Sequence, residues 1–402
     1  MKRMILSLLA ILLCLGMVSC HVGDTGKDGN TGDDTTESEP LNESESESGT
    51  ESESGSESDS QSQSDSNPSQ SQTQGGQTTV KKTMDIYLIA GQSNAGGHTR
   101  VKDASALYAR APSLISGYSH VFYAGNARSS EGSTLLNHEI SLYRTKLGYG
   151  RTDGSAQMYM GPEVGMAEAL SAHYNAQSGK RAALIKMAHG GTSLLNKATG
   201  MNQFGNWVPP SYAKALNVRY EGVVGGLYRS LLEQVEKNVK KMVELGYEEI
   251  RICGMYWMQG EADSSTDSTT LASYERALKY LISDLRKDLS AIMVEHTGAE
   301  NGAANMPFIV GTVSPTCGAK DNPTATIAKH TAFNEMLKVV VPTLENCYLV
   351  DNSMYDTVKV EGSTTTVVGS DQYHWNQNDM FEIGTHVGQC ILNNQLYTKD
   401  AE

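Results

Sequence analysis

From residue 85 onward, short runs of consecutive apolar residues alternate with longer stretches in which apolar positions recur every three or four residues. The first pattern suits strands covered on both faces, the second helices with one dry face. The predicted strands are Ile86–Ala90, Ala183–Ala188, Arg251–Met258, Phe308–Val313 and Tyr348–Val350. Predicted helices occupy about 162–177, 221–245, 271–289, 325–340 and 378–394. In the third of these, Leu271, Tyr274, Leu278, Leu281, Ile282 and Leu285 share one side, with Glu275, Arg276, Lys279 and Asp284 between them. Continuous apolar strands alternating with amphipathic helices predict a three-layer α/β/α sandwich on a parallel sheet, one domain over about 83–397. Ligands of such sheets sit at the carboxyl ends of the strands, so the loops there are where chemistry is expected.

The first eighty residues follow neither pattern. Lys2 and Arg3 precede the apolar run Ile5–Cys14, which reads as the basic and apolar regions of an export signal, too short and too early for a good spanning helix. Ser19 stands directly before Cys20, where the apolar run stops. This resembles the lipobox at which bacterial lipoproteins are cut and lipidated, although Met17 departs from the Leu or Val usual there. Ordinary cleavage nearby, leaving Cys20 a plain thiol, is the alternative. The following segment, 21–82, is dominated by Ser, Glu, Asp, Gln, Thr and Gly and cannot bury enough apolar surface to offset its ordering entropy. A flexible coil of that length spans on the order of 40 Å, and repulsion among its carboxylates extends it further.

The expected organisation is therefore a signal over 1–20, a disordered acidic linker over 21–82 and a folded domain over 83–397. The protein is expected to be exported, on a bacterial surface or facing the periplasm, touching membrane only through a lipid at Cys20.

Charge sharpens this division. Residues 21–80 hold fourteen acidic residues and one basic, a charge of −13, and residues 1–20 carry +2, so the formal −14 leaves −3 for the remainder. The acidity belongs to the linker. The domain lacks the basic excess that a nucleic-acid partner would require. Its four cysteines, Cys253, Cys317, Cys347 and Cys390, allow three disulfide connectivities in an exported protein, among which the sequence does not choose. Cys253 and Cys347 lie in apolar runs, where buried free thiols are common. No Cys-x-x-Cys or His-Glu-x-x-His spacing points to a metal, and no cofactor is implied.

Candidate chemistry sits in the loops after the strands. The first strand runs into Gly91-Gln92-Ser93-Asn94-Ala95-Gly96-Gly97, a small-residue turn that would lift Ser93 clear of the strand end. That suits a nucleophile, and equally a turn serine or helix cap. With Ala95 in the last position, the turn departs from the Gly-x-Ser-x-Gly elbow. The second strand leads to His189-Gly190-Gly191-Thr192-Ser193, whose glycines allow a backbone N–H to approach a ligand. The third leads to Trp257-Met258-Gln259-Gly260-Glu261-Ala262-Asp263, an amide and two carboxylates where a site is expected. Near the C-terminus, Asp371 precedes His374 by three residues, a spacing that lets the carboxylate hold one ring nitrogen and leave the other to take a proton from a serine.

Together and in this order, Gly91-Gln92-Ser93-Asn94, Gly161-Pro162-Glu163, Gly190-Gly191-Thr192-Ser193, Trp257-x-Gln259-Gly260-Glu261-x-Asp263 and Asp371-x-x-His374 resemble the SGNH hydrolases. Within them they resemble the sialate O-acetylesterase and carbohydrate esterase family six group, over residues 85–390. The resemblance implies a flavodoxin-like fold and a triad of nucleophile Ser93, general base His374 and orienting acid Asp371. It also implies an oxyanion hole made by the N–H of Ser93, the N–H of Gly191 or Gly190, and the side-chain amide of Gln259. Gln92, Asn94 and Glu261 would support these; Glu261 and Asp263 would hold the Gln259 loop, with Glu261 the fallback orienting acid. The implied substrate is an acetylated carbohydrate, acetylxylan or a related plant polysaccharide, with O-acetylated sialic acid on host glycans as the alternative. A non-catalytic glycan-binding protein of the same fold is a third reading, and the joint presence of Ser93, Gln259, Asp371 and His374 weighs against it. His98 and His189 lie beside the motifs and read either as substrate contacts or as supporting polar groups. Trp207 and Tyr212 read as sugar-stacking rings or, better, as buried packing in the insertion Asn202–Tyr212.

Overall fold

A computed structural model describes residues 81–125, 142–150, 157–197, 205–299 and 302–399. The expected signal and acidic linker lie outside these residues, as do 202–204 of the insertion. Along the chain come β1 (Thr83–Gly91), α1 (Ser93–Gly96), β2 (Thr99–Arg100), α2 (Ala104–Arg110), β3 (Tyr118–Gly125), β4 (Tyr143–Thr145) and β5 (Tyr159–Met160). Next are α3 (Glu163–Leu170), β6 (Arg181–Ala188), α4 (Pro210–Ala215), α5 (Gly226–Glu244), β7 (Glu249–Met258) and α6 (Ser268–Thr297). The last are β8 (Phe308–Gly311), α7 (Pro323–Val340), β9 (Cys347–Val350), β10 (Val358–Glu361), β11 (Thr364–Val367) and α8 (Gln377–Asn393).

The main sheet has the order β4-β3-β6-β1-β7-β8-β9. All its pairings are parallel except that of β4 with β3, so the expected parallel sheet is a mixed one with an antiparallel edge strand. β1 lies in the middle and all nine of its residues are buried, which is why its stretch Ile86–Ala90 reads as an unbroken apolar run. Successive side chains of a strand point to opposite faces. Met84, Ile86, Leu88 and Ala90 accordingly pack with Leu231 and Val235 of α5, Leu278, Leu281 and Leu285 of α6 and Phe333 of α7. Tyr87 and Ile89 pack on the other side with Val164 and Leu170 of α3 and Phe381, Ile383 and Val387 of α8. Helices cover both faces, giving three layers. At about 2–5 kcal/mol for each large-to-small truncation, these rows supply most of what holds β1 in place.

α6 is longer at each end than the periodicity suggested, because Asp267 caps its start by accepting from the Thr270 N–H at 2.8 Å and left-handed Gly298 ends it. All four cysteines of the domain are free, so none of the three connectivities forms. At the amino end of β1 the chain's last described residues are clasped to the sheet. Asp85 is fully buried and accepts from the Tyr174 hydroxyl at 2.6 Å, from the Thr398 N–H at 3.0 Å and from the Thr398 hydroxyl. Lys180 Nζ donates to the Thr398 carbonyl at 2.8 Å. A buried carboxylate survives only when its oxygens are satisfied in this way.

Candidate active site

Strand register assembles the site. Gly91 of β1 pairs with Ala188 of β6 on one side and Met258 of β7 on the other, so the three loops after them leave the sheet side by side at its carboxyl edge. Backbone bonds tie them together: Gln92 N donates to Met258 O at 3.1 Å and His189 N to Gly91 O at 3.3 Å. Gly91 has φ 144°, and a Cβ there would lie 2.0 Å from the Met258 carbonyl oxygen, so a side chain cannot occupy this crossing. Immediately afterwards the chain makes the single turn of α1, which begins at Ser93. Ser93 is 8% exposed, and its N–H, in the first turn, has no intrahelical acceptor.

Asp371 and His374 form a compact turn. Asp371 Oδ1 accepts from the Tyr373 and His374 N–H groups at 2.7 and 3.0 Å, and Oδ2 accepts from His374 Nδ1 at 2.7 Å. With Nδ1 donating, Nε2 is the basic nitrogen, a tautomer inferred from this bonding. Partial burial works against ionisation of Asp371, but the hydrogen bond and charge of His374 and the two backbone N–H groups outweigh it and hold its carboxyl below the usual range. This turn is joined to the Ser93 segment by Asn94 Nδ2, which donates to Tyr373 O at 3.4 Å, and by the Thr99 hydroxyl, which donates to Trp375 O at 3.1 Å. The His374 and His98 rings lie 5.0 Å apart, and a Cβ on Gly190 would come within 3.3 Å of both Ser93 Cβ and His98 Cε1. Ser93, Gly190, His98 and His374 thus share one small volume.

Gln259 differs from expectation. Its side chain is fully buried, and Nε2 donates inward to Asp263 Oδ2 at 2.8 Å and Thr192 O at 3.1 Å, while Oε1 accepts from the Tyr274 hydroxyl at 2.8 Å. Both amide hydrogens are therefore engaged. Gln259 splices the loops after β6 and β7 rather than presenting an amide to a ligand. Asp263 completes the splice: also buried, it accepts from the Ser193 hydroxyl and from Leu194 N at 2.8 Å, and pairs with Lys197 at 2.9 Å. Gln92 supports the same junction, its Oε1 accepting from Ala262 N at 3.3 Å and Gln259 Nε2 at 3.4 Å.

Glu261 does not reach His374 Nδ1, which Asp371 holds. Its Oε1 accepts from Asn94 Nδ2 at 2.7 Å, and its Oε2 is buried without a partner. Burial raises its pKa against the opposing pull of Asn94 and His374. Burial also pushes His189 down to about 4, which makes it a neutral supporting ring near pH 7. Trp207 and Tyr212 are packing residues, 0% and 4% exposed, with Trp207 Nε1 donating to Gly91 O at 3.1 Å.

A pair that the motifs alone did not reveal lies beneath Ser93. Lys186 of β6 is wholly buried, donating to Glu163 Oε2 at 3.0 Å, Tyr149 O at 2.9 Å and Gly96 O at 3.1 Å. Glu163 Oε1 in turn accepts from Gly161 N at 2.9 Å. The signal was present: a lysine inside the strand Ala183–Ala188, doubly covered, must find a carboxylate. Among the described residues, no group of three or more His, Cys, Asp or Glu side chains is arranged to hold a metal ion.

A hydroxyl at a strand end, with an imidazole fixed by a carboxylate on a turn hydrogen-bonded to the next residue, supplies the groups that acyl transfer from an ester requires, and the class so defined is that of hydrolases acting on esters. The sequence narrows this further. Residues 83–392 match the profile of the family described as carbohydrate esterase, sialic acid-specific acetylesterase, and the chain belongs to that family. No curated protein matches the chain significantly. Among solved structures, a protein of Arabidopsis thaliana aligns at 17% identity and TM-score 0.46, covering 78% of this chain and 99% of its own. NanS aligns at 14% identity and TM-score 0.48, covering 78% and 98%. A carbohydrate acetylesterase from Xanthomonas citri aligns at 12% identity and TM-score 0.42, covering 77% and 56%.

Proposed function

We propose that this protein removes O-acetyl groups from a carbohydrate through an acetyl-Ser93 intermediate. The observation that carries this reading is the 2.7 Å bond from Asp371 to His374 Nδ1, on a turn hydrogen-bonded to the residue after Ser93. His374 Nε2 takes the Ser93 proton as Oγ attacks the acetyl carbonyl, and Asp371 stabilises the imidazolium that forms. Negative charge on the tetrahedral oxygen is met by the N–H of Ser93 and that of Gly190 or Gly191, donors worth about 2.7–4 kcal/mol each in such sites. His374 then protonates the departing sugar hydroxyl, and water, activated in the same way, releases acetate and restores Ser93.

The family's description favours an O-acetylated sialic acid. Gly161-Pro162-Glu163 and the single domain resemble family-six acetylxylan esterases and favour acetylxylan. Acetate release from acetylated xylan and from O-acetylated sialic acid, measured side by side for the wild type and Ser93→Ala, separates the two substrates. Activity of Ser93→Ala within tenfold of wild type on either would sink the mechanism. We further propose that the domain is exported and held to a bacterial surface by a lipid on Cys20, with 21–82 as the spacer; the basic-then-apolar start and the cysteine at its end support this.

A further inference from the structure

Resting on the carbohydrate reading above, we infer that Tyr373 is the platform on which a sugar ring of the substrate stacks while its acetyl group reaches Ser93. Among the described residues, Tyr373 is the one aromatic side chain left exposed, at 51%. Every other aromatic ring there is buried or half-buried, so the domain has the means to cover its rings and does not cover this one. A lone exposed ring needs no explanation by itself, so its place decides what it can do.

Its position supplies a use. Tyr373 stands between Asp371 and His374, its ring 6.3 Å from the His374 ring in an edge-on arrangement. Its backbone is fixed from three sides: its N–H donates to Asp371, and its carbonyl accepts from Asn94 Nδ2 and from Cys317 Sγ, both at 3.4 Å. Behind the ring lies Gly318, where a Cβ would stand 2.9 Å from Tyr373 Cε1. The absence of a side chain there lets the ring lie against backbone. Ser93 and Asn94 are recessed, at 8% and 1% exposure, whereas the ring beside His374 is open to solvent.

The chemical class of ligand follows from this layout. A rigid, amphipathic ring holds a partner at small entropic cost, with a flat apolar face and a polar tip. A pyranose offers the complementary surface, a face of C–H groups rimmed by hydroxyls. A sugar laid on Tyr373 would bring an acetyl at its edge over His374 towards Ser93. A small aryl acetate needs no such platform, because its carbonyl is the group that must reach Ser93.

The test compares kcat and KM on an acetylated xylo-oligosaccharide, on O-acetylated sialic acid and on p-nitrophenyl acetate for wild type, Tyr373→Ala, Tyr373→Leu, Tyr373→Phe and Tyr373→Trp. For Ala and Leu, the ratio of kcat/KM on the preferred saccharide ester to that on p-nitrophenyl acetate should fall at least tenfold, mainly through KM. Phe and Trp should restore it. A Leu variant as selective as wild type would show that bulk and not a ring is needed, and an equal loss on all esters would assign Tyr373 to shaping the His374 turn; either overturns the inference. A wild-type protein that cleaves p-nitrophenyl acetate and no acetylated saccharide would instead overturn the carbohydrate reading on which it rests.

Discussion

Lys186 and Glu163 meet at 3.0 Å with neither side chain reaching solvent, and the same ammonium holds Gly96 O at the end of the turn that begins with Ser93. Burial lowers the Lys186 pKa and the Glu163 carboxylate opposes that shift. Breaking such a pair from one side leaves the other charge stranded, at a cost of about 3–5 kcal/mol. Lys186→Met should therefore lower the unfolding midpoint sharply, and Lys186→Met with Glu163→Gln should recover part of the loss. Denaturant unfolding of the single and double variants checks this; equal midpoints for the single variant and wild type would contradict it.

Asp371→Asn keeps the turn's acceptor Oδ1 but removes the charge opposite His374. Turnover should drop by about 10³–10⁴, as in other triads, with unfolding little changed. If the loss is under about tenfold, Asp371 is not the orienting acid and the triad assignment falls.

Gln259 separates two roles that kinetics and stability distinguish. As an engaged splice, Gln259→Leu removes the amide donor from Thr192 O and one of the two donors to Asp263 Oδ2, which keeps Leu194 N, and should cost about 1–3 kcal/mol of stability for the buried carbonyl left unsatisfied. An open oxyanion donor would give the opposite pattern, a kcat loss of 10²–10³ with unchanged unfolding. Thermal melts beside kcat on p-nitrophenyl acetate decide between them.

Burial pushes both His189 and His330 down to about 4. Unfolding returns each to near 6.5, so below that value the unfolded chain binds protons that the folded one does not. Stability from these two rings is therefore fully present above about 6.5 and is lost as pH falls from there towards about 4. The melting temperature should decline across this window, and His330→Gln should flatten the decline. A flat profile in wild type would show that the rings are not held neutral.

Removing residues 1–80 should leave a fully active esterase, because 21–80 hold almost no apolar surface with which to support the core and the apolar run Ile5–Cys14 reads as an export signal. Loss of cooperative unfolding would place the domain boundary elsewhere. Fatty-acid labelling of the full chain, absent in Cys20→Ala, tests the anchor separately.

Strands covered on both faces are legible as apolar runs, and β1, β6 and β7, which carry the three central loops, announce themselves in this way. β3 does not, because Ser119 and His120 interrupt it, and β4 has three residues, too few to show a period. The Asp371-x-x-His374 spacing foretold its own hydrogen bond, since three residues of turn suffice to close it. The hydrogen bonds of Gln259 were not legible in the sequence, because a motif gives a residue's place on a loop and not the direction of its side chain. That direction is set by Asp263, four residues on, and by Tyr274 from α6, a helix whose approach follows from packing.

The strand that delivers Ser93 begins at Thr83, beside the clasp that fixes Thr398 to Asp85, so the domain's entry and exit lie together at the base of the sheet. Eight residue steps of extended chain place that base roughly 26 Å from the mouth. The chain therefore joins the domain on the side away from the mouth, at both its first and its last described residues. Whatever is joined to either end leaves the opening unobstructed, and that clearance is built into the direction of a single strand.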